Sequence, residues 1–285
     1  MHSFSPPILA DYWENGLHYW SFGSSSVVTD EYVRLTTSSP TAKGFFWNRH
    51  PNQLASFVAN ATLRFKSRGS GWFADATDGG FAFWYTASTP RHMPTQFFGN
   101  VDNFDGVGLI LDHTDTLSII VNDGEHNVQT ISRERRGFCS VKQLVNNKVT
   151  ISIKYSSDSK ELLVSYNVWQ DTTTRGKDVQ CAAVSDVTLP LRNYFGVTAS
   201  NSVHAQAEHD LFSFFVKPLR KADEDDIARE EESAGDHLFD RQREQRLQKE
   251  WNGRADEPIS KDRPADEQAA SGVEEKAGEE KPADE

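Results

Sequence analysis

The sequence predicts an all-β sandwich or jelly roll over residues 1–218, followed by a charged tail. Three observations carry that expectation. Strand-like runs recur between Gly, Asn, Asp and Ser punctuation. The segment Val149-Thr150-Ile151-Ser152-Ile153-Lys154-Tyr155 alternates strictly, as a half-buried antiparallel strand does. No stretch before Pro218 carries the apolar period of a helix.

Taken in order, the runs 27–35 and 53–65 read as strands. Asp78-Gly79-Gly80 then reads as a Gly-kinked turn feeding Phe81-Ala82-Phe83-Trp84-Tyr85, apolar enough for burial on both faces. Asn103-Phe104-Asp105-Gly106 is a second turn, feeding Val107-Gly108-Leu109-Ile110-Leu111 and ending on the carboxylate of Asp112. Two acids, Asp78 and Asp112, thus stand at the rims of adjacent buried strands. The run 117–121 follows, and Asn122-Asp123-Gly124 after it is a hairpin signal, since Asp-Gly tolerates positive φ. Runs 149–155, 162–168 and 211–216 complete the set.

The charge is unevenly placed. Residues 221–285 hold 22 acids and 11 bases, which accounts for −11 of the formal net charge of −12. Residues 1–220 are close to neutral and offer no basic block to neutralise phosphates, so nucleic acid is not expected as a partner. The segment 219–252, rich in Glu, Gln and Arg with irregularly spaced hydrophobes, is expected to be a charged, solvated helix. From 253 to 285 hydrophobes nearly vanish, and acidic disorder is expected.

No window of about 18 apolar residues occurs, so no membrane anchor is expected in this chain. The N-terminus shows no positively charged region followed by an apolar run. The chain is therefore expected to be cytosolic, or else truncated with respect to a signal peptide and anchor. Cys139 and Cys181 are the two cysteines. Their spacing leaves free thiols and a single bridge equally open.

An enzyme is not expected. Sandwich glycosidases need paired carboxylates facing one cleft, and no strand carries Glu-x-Asp-x-Glu. A Gly-x-Ser-x-Gly elbow is also missing.

Several segments, in order, resemble one family. Gly80-Phe81-Ala82-Phe83-Trp84-Tyr85, Phe98-Gly99, Asp102-Asn103-Phe104 and Val107-Gly108-Leu109-Ile110-Leu111-Asp112 are similar to the L-type lectin-like domain of the early secretory pathway. Phe45-Phe46-Trp47-Asn48-Arg49, Val121-Asn122-Asp123-Gly124, Asn193-Tyr194-Phe195-Gly196-Val197-Thr198-Ala199-Ser200 and His209-Asp210-Leu211-Phe212-Ser213-Phe214 resemble its other strands. The resemblance covers residues 15 to 217. It implies a concanavalin A-like, legume-lectin jelly roll and a Cys139–Cys181 disulfide. It also implies a place in the lumen of the ER, the ER-Golgi intermediate compartment or the Golgi. The implied function is that of a glycoprotein cargo receptor binding high-mannose N-glycans, with Ca²⁺ ordering the sugar-contacting loops.

Mapped onto this chain, the resemblance implies a carbohydrate site of Asp78, Gly79, Asp112, Asn201 and Ser202. Asp78 is displaced by one position, since Gly79 occupies the aligned place. Asp112 matches the first metal carboxylate, and Asp115 is the candidate to replace a second ligand. Thr114 and Thr116 stand where an aromatic carbonyl and an Asn are wanted. The interval before Cys139 reads Ser132-Arg133-Glu134-Arg135-Arg136, basic where acids are wanted, so an incomplete Ca²⁺ site is expected. Arginine beside such a site could replace the cation's charge. Trp47 and Trp84 are expected in the core. An alternative follows from the same departures: a scaffold subunit that binds no sugar and pairs with a related lectin.

Overall fold

A computed structural model describes residues 2–9, 17–67, 79–90, 97–112, 114–128, 130–171, 173–202 and 206–219 of the protein. Among these residues fourteen strands form. In chain order they are β1 (Trp20–Ser24), β2 (Val27–Val28), β3 (Val33–Thr36), β4 (Lys43–Asn48), β5 (Phe57–Ser67), β6 (Gly80–Thr86) and β7 (Asp105–Asp112). The rest are β8 (Thr116–Asp123), β9 (Gly137–Ser140), β10 (Lys148–Ser156), β11 (Glu161–Val168), β12 (Val179–Val184), β13 (Tyr194–Ser200) and β14 (Ala207–Pro218). One short helix, α1 (Ile131–Glu134), lies between β8 and β9.

The strands make two seven-stranded sheets. The first runs β1-β4-β13-β6-β7-β8-β9 and the second β12-β11-β10-β5-β14-β3-β2. Neighbours pair antiparallel throughout. The architecture is the sandwich expected. Inward-facing side chains of the two sheets interdigitate: Phe83 stacks on Phe214 with ring centroids 5.3 Å apart, and Phe57 meets Phe195 edge-on at 5.2 Å.

The first sheet is covered on its other face as well. Trp47, Trp84, Phe98, Phe104, Ile110, Ile120 and Val128 form a second buried cluster there. This is why every residue of β6 is buried and why its sequence shows no polar alternation. Trp47 and Trp84 belong to that cluster, and the indole of Trp84 donates to Thr198 Oγ1 at 2.7 Å. Gly196 makes room for the other indole: a Cβ there would lie 2.0 Å from the Trp47 ring.

The Cys139–Cys181 disulfide is present. It joins β9 to β12, the strands at the ends of the two sheet orders, with Cα atoms 5.2 Å apart. Closing a span of 42 residues is worth roughly 4 kcal/mol by chain entropy.

The sequence reading needs three local corrections. Run 27–35 is two strands, because Thr29 turns the chain: its amide and hydroxyl both donate to Tyr32 O, at 2.9 and 2.8 Å. Residues 53–56 stay outside β5, held by the Asn52 side chain on both backbone groups of Leu54. Asp123-Gly124 does not close a hairpin. The Asp123 carboxylate accepts from Glu125 N at 2.9 Å, and the chain then passes through α1 before β9 pairs with β8. β9 and β12 escape sequence reading because one is four residues long and the other is a half-exposed edge strand whose burial does not alternate. No helix among the described residues is long and apolar enough to cross a membrane. The expectations for 219–252, apart from Leu219, and for 253–285 lie outside the described residues.

Candidate functional site

Antiparallel pairing brings most of the expected site residues to one rim of the first sheet. Ser200 of β13 pairs with Gly80 of β6, and Gly80 pairs with Asp112 of β7. Gly79 immediately precedes this row, and Asn201 and Ser202 immediately follow it. Strand spacing puts the ends of β13 and β7 about 10 Å apart in the backbone. Gly80 has φ +147°, and a Cβ there would lie 2.3 Å from Leu111 O, so only glycine lets β6 run this close to β7. Asp78 lies outside the described residues.

Asp112 ends β7 as a buried carboxylate. Its Oδ1 accepts from Thr114 N at 2.9 Å, Thr114 Oγ1 at 2.5 Å and Thr116 N at 3.2 Å. The Asp112–Thr116 turn is therefore organised around one carboxylate oxygen. Oδ2 makes no hydrogen bond among the described residues, which leaves it to whatever the rim meets. Thr114 and Thr116 act here as donors that fix the carboxylate.

Asn201 is engaged inward. Its Nδ2 reaches Thr37 O at 2.7 Å, Ser39 O at 2.9 Å and Ala207 O at 3.0 Å, while Oδ1 accepts from Ala207 N at 3.1 Å. Its side chain ties the loop after β13 to the start of β14 and to the loop before β4. Ser202 beside it is buried. Asp115 adopts φ +61° and its carbonyl accepts from Val141 N at 2.7 Å.

The described residues do not fit a Ca²⁺ ion. That ion takes about six to eight oxygen ligands, usually including several carboxylates. Among the described residues no group of three or more His, Cys, Asp or Glu could hold a metal. At Asp112 one oxygen already accepts three protein donors. Two arginines of the basic run, Arg135 and Arg136, are engaged away from Asp112. Arg135 lies over the Phe138 ring at 3.6 Å, Arg136 donates to Ser185 O at 2.9 Å, and neither forms an ion pair with Asp112.

The outer face of the second sheet holds a polar group that sequence reading missed. Asp210, fully buried on β14, accepts from Arg34 Nε at 2.7 Å, Arg34 Nη2 at 3.1 Å and Arg64 Nη2 at 2.9 Å. Glu208 is 3.0 Å from the same Arg34. Hydrogen bonding to Asp210 raises the Arg34 guanidinium above its ordinary value. His209 places Nδ1 2.5 Å from Thr36 Oγ1, a structural contact. The only sequence signal was polar alternation, Thr62-x-Arg64-x-Lys66 on β5; partners 146 and 176 residues away are not legible that way.

A model of the legume-like lectin family matches residues 1–226. Among relatives, the vesicular integral-membrane protein VIP36 of dog is 27% identical over 208 residues, covering 68% of this chain and 55% of that protein. Mouse ERGIC-53 is 25% identical over 235 residues, covering 76% of this chain and 42% of that protein. This chain thus spans about half the length of these relatives. Among solved structures, the Ca²⁺/Man2-bound exoplasmic/lumenal domain of VIP36 superposes with a TM-score of 0.64 at 25% identity, over 79% of this chain and 91% of that one. With the family match extending over most of the chain and the sandwich alike in both, this chain belongs to the legume-like lectin family.

Proposed function

We propose that this chain is the lectin-like part of a glycoprotein cargo receptor of the early secretory pathway, binding high-mannose N-glycans at the rim of the first sheet. The site is a reduced one, in which the protein's own turn does part of the work that Ca²⁺ does elsewhere. The observation that carries the reading is Asp112: a carboxylate locked at the rim through Oδ1, with Oδ2 left to accept from a sugar hydroxyl. Its pairing row with Gly80 and Ser200 supplies backbone beside it. The Ca²⁺/Man2-bound VIP36 domain supports the ligand class.

A second reading rests on a specific observation, the inward engagement of Asn201 together with the lack of a metal-binding group among the described residues. On that reading the chain is a scaffold subunit that pairs with an intact related lectin. Titrating the protein with a high-mannose glycan, once in Ca²⁺ and once in chelator, separates the two. Binding in both conditions, weakened at least about tenfold by Asp112→Ala, is the expected result. Binding that chelator abolishes keeps the lectin reading but returns Ca²⁺ to it. No binding in either condition overturns it and leaves the scaffold.

A further inference from the structure

The outer face of the second sheet carries an arrangement that the rim does not use. β5 and β10 pair so that Lys148 stands directly opposite Arg64. Like charges in that position repel and destabilise a sheet. Arg64 turns Nη2 toward Asp210, but its Nε is buried without a hydrogen-bond partner. The Lys148 ammonium forms no ion pair among the described residues. It is held instead against aromatic faces, 4.1 Å from the Phe212 ring centroid and 5.5 Å from that of Trp169. Burial and the nearby Arg64 both push this ammonium below the ordinary lysine value, with Glu31 opposing them.

Beside this pair of cations the surface opens into a cleft of about 200 Å³, lined by Arg64, Lys148, Trp169, Asn146, Asn147 and Asp171 among others. Its flat wall is fixed: Trp169 Nε1 donates to Thr150 Oγ1 at 2.9 Å and Trp169 N to Lys148 O at 2.9 Å. Asp171, an ionised carboxylate on the same lining, forms no ion pair with Lys148 or Arg64 among the described residues. Its Oδ1 accepts from Thr173 N at 2.7 Å, Thr173 Oγ1 at 3.0 Å and Thr174 N at 2.7 Å, which holds the carboxyl well below the usual carboxylate range. The cleft thus has a cationic side formed by Lys148 and Arg64, and a rigid indole.

We propose that this cleft binds an acidic monosaccharide unit, its carboxylate or phosphate against Lys148 and the partly exposed Arg64 side chain and its ring against Trp169. An anion there accepts charge-assisted hydrogen bonds from both groups and removes their mutual repulsion. The volume is below the roughly 300–1,000 Å³ of drug-sized pockets, so one ring fills it. The ionised Asp171 on the lining disfavours a second acidic group. The site is on the opposite sheet from Asp112 and stands whether or not the rim binds glycan.

Calorimetric titration of the full chain with glucuronate, glucose 6-phosphate, glucose and inorganic phosphate tests this. At least one acidic sugar is expected to bind with roughly millimolar affinity, and glucose at least about tenfold more weakly. The acid preferred names the anion. Lys148→Gln should lose at least about tenfold of that affinity while its melting temperature stays level or rises, since the substitution also removes a repulsion. A purely structural lysine would not give that split. Asp171→Asn should tighten binding. The proposal is overturned if glucose binds as well as the acidic sugars, if Lys148→Gln binds them undiminished, or if neither acidic sugar binds. Inorganic phosphate matching glucose 6-phosphate would overturn the assignment to a sugar, leaving an anion site alone.

Discussion

The rim of the first sheet and the outer face of the second use polar residues in opposite ways. At the rim, Asp112 through Oδ1 and Asn201 through its amide bond the neighbouring chain and hold loops in place, with Asp112 Oδ2 left over. On the outer face, Lys148 and Arg64 meet across a strand pair with one buried donor unmatched. The contrast teaches that resemblance in sequence and readiness to bind are separate properties. Residues matched to a known site can become structural, and an unremarked face can keep unsatisfied groups.

Four substitutions sharpen the contrast. The largest effect belongs to Asp210, the acid that does satisfy the outer face. Asp210→Ala strands two guanidiniums that are mostly buried, and is expected to cost about 3–5 kcal/mol by denaturant unfolding. Next is Asn201→Ala, which removes the hydrogen bonds its amide makes to the backbone of Thr37, Ser39 and Ala207; about 2–3 kcal/mol is expected. If that loss were absent, Asn201 would be released for ligand and the structural account of the rim would fail.

Asp112→Ala should cost about 1–2 kcal/mol through the lost turn. Asp112→Asn keeps an oxygen acceptor for Thr114 and Thr116 and should recover most of that stability. Glycan binding lost in both variants would show that the charge serves a ligand; binding retained in Asp112→Asn would show that the carboxylate serves only the turn.

The smallest effect is a titration. His126 Nδ1 lies 3.1 Å from Asp123 Oδ1 on an exposed turn, and that hydrogen bond raises the imidazole above the ordinary histidine value while lowering the carboxyl. The attraction is complete where His126 is protonated and Asp123 ionised. It fades as pH rises through the raised His126 value, and again as pH falls through the lowered Asp123 value. The imidazole shift followed by NMR should return to the ordinary range in Asp123→Asn; an unchanged midpoint would remove Asp123 as the cause.

Much of the sandwich was legible because its signals are local. Alternation in Val149–Tyr155 marked β10, and the unbroken apolar run at Gly80–Tyr85 correctly implied cover on both faces, which Phe98, Phe104 and Val128 provide. Strands with weak local signals were not legible: the four residues of β9 and the half-exposed edge strand β12 gain their conformation from neighbours. Asp123-Gly124 misled for the opposite reason. Its turn chemistry is genuine, but burial of Val128 draws the chain over the first sheet before it can return.

The sequence alone determined the class of fold, the resemblance that marks the family, and the acid at the end of β7. Those depend on the order of side chains along one segment. Tertiary structure decided which atoms of that acid are left, where the Asn201 amide points, and that Arg64 faces Lys148. Register between strands sets these, and register is fixed by the packing of both sheets together. A residue's type says what it can bond; only its neighbours across the sheet say what remains for a ligand.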